Sequence, residues 1–169
     1  MARTRRPVQL TSVARAVSVL ALAAVGGDHL YVYAIEHYSA IPTIGTLFLV
    51  NAIGGFALAA ALLVPLPRLA SRSRAAQLTA GLAGAGITLA GGALVALFVS
   101  ENTPLFGFME LGYRTSIVVA IASEITAIIA LLVLVAGTIR GAGGSGHGTR
   151  AHLGGPRLIR GRMRFYDGQ

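Results

Sequence analysis

The chain has 169 residues, of which 54% are apolar and 12% are charged, and its mean hydropathy is +0.71. This composition excludes an ordinary soluble domain and predicts an integral membrane protein. The 14 basic residues are all arginine and six residues are acidic, for a net charge of +8, and the lack of cysteine excludes disulfides, thiolate metal sites and cysteine nucleophiles.

The chain begins with a basic segment, residues 1–15, which we expect to lie in the cytoplasm. Residues 16–34 form the first apolar run and predict a membrane-spanning helix. A basic start before an apolar run is also typical of a signal peptide, with Ala21-Leu22-Ala23 as a candidate cleavage site. The apolar pattern continues past Asp28 and His29, which favours a retained span, although the distribution of charge is compatible with either outcome.

Three further apolar runs follow, and the sequence therefore predicts an all-α protein, a bundle of four transmembrane helices. The spans are predicted at residues 16–34, 44–64, 78–100 and 115–139. Pro65 and Pro67 end the second span, because proline cannot continue the interior of a helix. The connection after the third span has an apolar, aromatic centre, residues 105–113, which we expect to lie along the membrane interface.

The arginines are distributed unevenly among the connections. Every arginine except Arg114 precedes the first span, lies between the second and third, or follows the fourth. Because connections rich in arginine stay in the cytoplasm, both termini are predicted to be cytoplasmic. Arginine in place of lysine, with abundant alanine and glycine, favours a bacterial source and hence the bacterial cytoplasmic membrane.

The last segment, residues 140–169, is rich in glycine and arginine and has too few apolar residues to bury a core. It predicts a disordered basic tail on the cytoplasmic side. We expect its arginines to attract anionic lipid, each contributing about 1 kcal/mol near the surface. An acidic protein or a nucleic acid is the alternative partner, with nucleic acid the less favoured of the two.

Small residues recur at every fourth position of the third span: Ala80, Gly84, Thr88, Gly92 and Ala96. Residues four apart share one face of a helix, so the spacing predicts a helix-packing seam that includes Gly84, Thr88 and Gly92. Glu124 of the fourth span shares its face with small residues in the same way. The pattern therefore predicts that Glu124 points toward protein rather than toward lipid.

Each span carries a polar side chain at a similar depth below the outer end of the bundle. From the helical rise, Asp28 and His29 lie roughly 8–10 Å deep. Asn51 lies about 10 Å deep, Glu124 about 13 Å deep, and Thr88 slightly deeper. An ionisable group at such a depth is costly unless it is protonated, paired or next to water. The layer is a candidate binding or proton site, and a hydrogen-bonded cluster that only stabilises the bundle is the alternative.

Three further polar residues are predicted at the mouth of this layer: Glu36, His37 and Glu110. Histidine with carboxylates can bind a divalent metal or relay protons, so the identity of any metal is left open. Neither H-x-x-E-H nor H-E-x-x-H spacing is present, and no phosphate-binding loop or catalytic constellation is found. The sequence identifies no cofactor, and an enzyme is the least favoured class of function.

The segment HLYVYAIEHYSAIPTIGTLFLVN, with the four short spans, resembles small four-helix bacterial membrane proteins of the DoxX-like kind. The resemblance covers the first two spans. It implies a four-helix bundle in the cytoplasmic membrane and carries no site residues over. Two functions are predicted: an accessory or structural subunit that associates with another membrane protein or with itself, and a small transporter or ion-, metal- or proton-binding protein that uses the polar layer.

Overall fold

A computed structural model describes residues 5–143 of the chain, with side chains for residues 9–141. Its helices are α1 (Arg5–Ala34), α2 (Ile44–Leu63), α3 (Leu66–Leu69), α4 (Arg72–Asn102) and α5 (Thr115–Gly143). Within the described residues all but α3 are long and apolar enough to cross a membrane, which confirms the prediction of an all-α fold with four helices able to span one. The predicted tail begins within the last turn of α5, and its residues 144–169 lie outside the described part of the chain.

Two helices begin earlier than the predicted spans. α1 begins at Arg5 instead of residue 16, because Pro7 lies in the first helical turn, where a proline is tolerated. α4 begins at Arg72 instead of residue 78, and its N-terminus is capped by the Ser71 hydroxyl, which accepts a hydrogen bond from the Arg74 backbone N–H at 3.5 Å. Basic residues that were predicted to lie in connections therefore lengthen two helices beyond their apolar parts.

The four long helices form an up-and-down bundle. α1 packs extensively against α2 and α5, α4 packs against α5, and the contact between α2 and α4 is the smallest. Residues 35–43 and 103–114 meet at one end, which we call the loop end. Residues 64–71 and the first turns of α1 lie at the opposite end, which we call the arginine-rich end.

Arg15 joins α1 to α2 near the arginine-rich end. Its guanidinium donates to the carbonyl oxygens of Leu62 at 2.6 Å and Val64 at 2.5 Å. The last carbonyls of a helix have no partner within the helix, and Arg15 supplies a charged donor to the Leu62 carbonyl; the Val64 carbonyl also accepts from the Leu66 N–H at 2.8 Å. This contact fixes the end of α2 against α1.

The apolar core occupies the half of the bundle nearer the arginine-rich end. Its fully buried side chains include Leu22 and Val25 of α1, Leu62 of α2 and Leu131 of α5. Cleavage at the candidate signal-peptide site would remove Leu22 from this core. The polar residues of the predicted layer lie above the core, toward the loop end.

The backbones of α1 and α2 approach closely at Gly26 of α1 and Gly55 of α2. A Cβ atom on Gly55 would lie 2.9 Å from the carbonyl oxygen of Leu22 and 2.9 Å from the nitrogen of Gly26. Only hydrogen fits at these positions, and the backbones are in direct contact, as in other membrane helix pairs joined by small residues. This crossing positions the segment of α1 that carries Asp28 and His29.

The face of α4 that packs within the chain is not the predicted one. Gly84, Thr88 and Gly92 are exposed, and a Cβ atom on either glycine would meet no atom within 4 Å. The buried residues of α4 follow a neighbouring face: Ala75, Thr79, Ala83, Gly86, Ala90 and Ser100. A Cβ atom on Gly86 would lie 2.8 Å from Leu131 Cδ1, so the bulk of α5 requires a glycine there. Because small residues cover both faces of α4, spacing alone could not identify the face that packs.

Candidate functional site

A cavity lies in the half of the bundle nearer the loop end, between α1, α2, α4, α5 and residues 103–114. The centre of a water molecule can occupy about 80 Å³ of it. Its polar lining includes five of the residues predicted from the sequence: Asp28, His29, Asn51, Glu110 and Glu124. Three helices and one connection thus bring these side chains to one space.

Glu124 is the most deeply buried acidic residue of the cavity, with only 2% of its surface exposed. Its Oε1 atom lies 3.7 Å from His29 Nε2. Its Oε2 atom is buried and has no hydrogen-bond partner among the described residues. A buried acceptor without a donor costs about 1–3 kcal/mol, and more when it is charged. The free oxygen can therefore bind a proton or a hydrogen-bond donor with little competition from the protein.

His29 presents a single nitrogen to Glu124. Its Nδ1 atom lies 2.9 Å from the carbonyl oxygen of Val25, and because a carbonyl can only accept, Nδ1 must carry hydrogen. Nε2 is therefore the nitrogen that gains or loses a proton. The distance of 3.7 Å to Glu124 exceeds a hydrogen bond, so proton exchange between the two requires a bridging water or a small shift.

Asp28 connects this cavity to a second, more open cleft. The cleft has a volume of about 410 Å³ and lies between α1 and α5 at the loop end. Glu36, Arg114 and Ser116 are among its lining residues, and Asp28 lines both spaces. The arrangement places one carboxyl group between the loop-end surface and the cavity that holds Glu124.

Four side chains form what we call the outer clamp: Glu36, Tyr38, Glu110 and Arg114. The Arg114 guanidinium lies 2.8 Å from Glu36 Oε2 and 3.0 Å from Glu110 Oε1, and it also donates to the Tyr38 hydroxyl. The Tyr38 hydroxyl donates in turn to Glu110 Oε2 at 2.6 Å. The outer clamp joins residues 35–43 to residues 103–114 above the cavity.

The ionisation of Tyr38 is suppressed in this setting. Burial raises the pKa of Tyr38 to about 12, and its hydrogen bond to the Glu110 carboxyl acts in the same direction. The phenol therefore keeps its proton at neutral pH. It can donate that proton to Glu110 while its oxygen accepts from Arg114.

The backbone on both sides of Tyr38 is tightly wound. His37 and Thr43 have φ angles of 65° and 66°, and the Ile44 N–H donates to the Pro42 carbonyl at 2.7 Å across Thr43. This γ-turn is an uncommon and strained conformation, which persists only where the surrounding structure holds it. The connection therefore has one defined shape, in which Tyr38 is directed inward.

The residues predicted at the mouth of the site occupy three different environments. Glu110 is buried and lines the cavity, and Glu36 lines the outer cleft. His37 is exposed and lines neither space. The left-handed conformation of His37 is the reason, since it reverses the chain and turns Tyr38 inward instead.

α4 contributes to the cavity through residues that the sequence did not indicate. Thr88, which was predicted near the polar layer, is exposed, and its hydroxyl donates to the Gly84 carbonyl at 3.0 Å. Ser100 is the polar residue of α4 that lines the cavity, and its hydroxyl donates to the Leu97 carbonyl at 2.7 Å. No titratable side chain of α4 lines the cavity as the structure describes it.

The connection between α4 and α5 folds back on itself. Leu105 and Phe108 exchange both backbone hydrogen bonds, at 2.8 and 3.0 Å, and the two residues between them have positive φ angles. Leu105, Phe108 and Glu110 line the cavity, while Phe106 and Leu111 are exposed. The turn thus closes part of the cavity and leaves two large apolar side chains free to meet the membrane interface.

No group of three or more histidine, cysteine and acidic residues that could hold a metal ion occurs within the described part of the chain.

Comparison with known proteins gives no match to a family model, a curated protein or a solved structure. The DoxX-like resemblance stays a prediction.

Proposed function

We propose that this protein binds a proton or a small cation within its transmembrane bundle, with access from the loop end. Glu124 is the binding carboxyl group, and His29 is the neighbour that shares or stabilises its charge. Asp28 provides the step between the outer cleft and the cavity. This assignment develops the transporter or ion-binding function predicted from the sequence, and it favours a proton or monovalent cation over a divalent metal.

The free Oε2 atom of Glu124 carries the proposal. Of the buried side-chain oxygens that have no hydrogen-bond partner among the described residues, it is the one that belongs to the cavity lining, and the cavity is large enough for several waters. A cluster that served only to stabilise the bundle would be expected to satisfy its buried acceptor, because an unsatisfied one is costly. Ionisable residues inside membranes mark proton and ion pathways for the same energetic reason.

Infrared difference spectroscopy of the full chain in lipid nanodiscs tests the proposal. Acidification should produce the carbonyl band of a protonated carboxyl group that is absent from a Glu124→Gln variant. Glu101→Gln is the matched control, because Glu101 also has a buried oxygen without a hydrogen-bond partner, Oε1, but lies outside both spaces, and its Oε2 atom accepts from the exposed Tyr113 hydroxyl at 3.1 Å. A folded Glu124→Gln protein whose spectrum titrates like that of the wild type would refute the assignment.

We further propose that the loop end faces the outside of a bacterial cytoplasmic membrane. The distribution of arginine supports this orientation, because the loop end carries only Arg114 in its two connections. Arg114 is held by Glu36 and Glu110, so it does not act as a free positive charge on that side. In this orientation the site takes its proton or cation from outside the cell.

Association with another membrane protein, or with a second copy, is the second candidate function. One observation favours it: Gly84, Thr88 and Gly92 form an exposed stripe on α4, and only 17% of the most apolar window of that helix is buried. Exposed small residues allow a partner helix to approach closely. Purification from native membranes in mild detergent should then give a stoichiometric partner, which Gly84→Leu should release and Glu124→Gln should retain.

A further inference from the structure

We propose that the ligand of this cavity is a small organic ammonium ion, which displaces a proton from Glu124. The inference rests on the proposed function and specifies the chemical class of the ligand. It is carried by three features of the described residues: an excess of carboxyl groups, an apolar and aromatic wall, and a restricted volume.

The first feature is the charge of the site. The cavity and the outer cleft are lined by four carboxyl groups, which belong to Asp28, Glu36, Glu110 and Glu124. Arg114 is the only arginine among the lining residues, and it is already paired with Glu36 and Glu110. Asp28 and Glu124 therefore face the spaces with no nearby basic group other than His29 among the residues described. A cation complements this excess of negative charge.

The second feature is the apolar and aromatic part of the cavity lining. It is formed by Val32, Phe48, Leu97 and Phe108. The Phe48 ring lies 5.1 Å from the His29 ring, centroid to centroid. An inorganic cation would find few oxygen ligands on this wall, whereas an alkyl group gains from contact with it. Aromatic faces also attract an ammonium group.

The third feature is size. About 80 Å³ is available to the centre of a water molecule, and one water needs about 10–15 Å³ on this measure. The cavity therefore accommodates about five to eight water-sized groups. An ammonium ion with a short alkyl chain fits this volume, and a drug-sized cation does not.

Binding exchanges one cation for one proton. The ammonium N–H groups donate to the free Oε2 atom of Glu124, which must be ionised to form the ion pair. A protonated carboxyl group releases its proton as the ammonium ion enters, and the proton leaves toward the loop end past Asp28. The titratable groups that line the space around Glu124 are Asp28 and His29 of α1 and Glu110 of the 103–114 connection. Asn51 of α2 and Ser100 of α4 add polar groups that do not titrate.

Calorimetry of the full chain in lipid nanodiscs tests the inference, with n-butylammonium as the probe and n-butanol as the neutral control of similar shape. Saturable binding of n-butylammonium is expected, with release of one proton detected from the dependence of the heat on the buffer. Its apparent Kd should rise about tenfold for each unit of pH below the midpoint of the carboxyl band. Glu124→Gln should weaken binding at least tenfold, and Glu101→Gln should not change it.

The outcomes separate this inference from the proposed function. If the carboxyl band of Glu124 titrates but n-butylammonium does not bind, the proposed ligand class is wrong and the proposed proton site still stands. Equal binding of n-butanol and n-butylammonium by the wild-type protein also overturns it, and this comparison needs no variant to fold. If Glu124 shows no titration and no amine binds, both proposals are wrong.

Discussion

The outer clamp gives the sharpest quantitative prediction, because removal of one oxygen atom deletes two of its hydrogen bonds and leaves the ion pairs of Arg114 with Glu36 and Glu110 in place. Tyr38→Phe deletes the hydroxyl that donates to Glu110 Oε2 at 2.6 Å and accepts from Arg114. A hydrogen bond to a charged group contributes about 1.5–3 kcal/mol when it is buried. The contact with Glu110 is buried, whereas Arg114 is 45% exposed and can replace its lost partner with water. The expected loss in the free energy of unfolding is therefore about 2–3 kcal/mol, nearly all of it from Glu110.

Tyr113→Phe is the matched control. Its hydroxyl also donates to a carboxylate, Glu101, at 3.1 Å, but Tyr113 is 63% exposed. Its removal should not change the free energy of unfolding measurably. Reversible unfolding of both variants in mixed micelles, followed by circular dichroism, measures the difference. If Tyr38→Phe costs no more than Tyr113→Phe, the outer clamp does not stabilise the loop end.

The hydrogen bond between Tyr38 and Glu110 should also make the stability of the protein depend on pH. Because the pKa of Tyr38 is raised from 10.0 to about 12, folding favours the protonated phenol. Its contribution to stability is complete below about pH 10 and is lost as the pH rises from about 10 to about 12. Absorbance of tyrosinate should show one late step that is missing from Tyr38→Phe. A titration curve unchanged by this substitution would contradict the buried position of the phenol.

Three other predictions concern packing, capping and orientation. Gly55→Ala should lower the free energy of unfolding by about 1–3 kcal/mol, because the new Cβ atom would lie 2.9 Å from backbone atoms of α1. Gly84→Ala is the control, and it should cause no measurable change in the same assay because its Cβ atom would meet no atom within 4 Å. Arg15→Gln should lower the free energy of unfolding by about 1–3 kcal/mol, since the carbonyls of Leu62 and Val64 lose a charged donor. The last amides of α2 should also exchange their hydrogens faster. In intact cells a non-permeant thiol reagent should label Ser39→Cys but not Ser71→Cys, each the single cysteine of its chain. The opposite pattern of labelling would reverse the proposed orientation.

The sequence predicts the spans well because a membrane imposes long apolar runs that need no tertiary context. The register of small residues in α5 also predicts correctly that Glu124 faces protein, where it is 2% exposed. The same argument did not identify the face of α4 that packs within the chain, since α4 has small residues on two faces and Leu131 of the folded chain packs against only one of them. The first residues of α1 and α4 also differ from those of the predicted spans, because basic residues next to an apolar run can continue a helix.

The outer clamp was missed because its contacts join residues far apart in the chain. Tyr38 and Glu110 are 72 positions apart, and no local pattern relates them. A signal was present in Arg114, the lone arginine between acidic residues in connections otherwise free of basic side chains. Such an isolated cation needs a partner, and the two connections supply it. The cavity likewise depends on how the helices cross, which spacing within each helix does not determine.

The limited contact between α2 and α4 has a consequence for how a guest reaches the cavity. Both helices contribute to its wall, and α4 does so there through the small side chains of Ala93 and Ala96. Separation of α2 from α4 disrupts fewer contacts than separation of any other neighbouring pair of long helices, and it leaves the contacts of α1 with α5 in place. We therefore expect a guest that enters from the loop end to widen the bundle between α2 and α4.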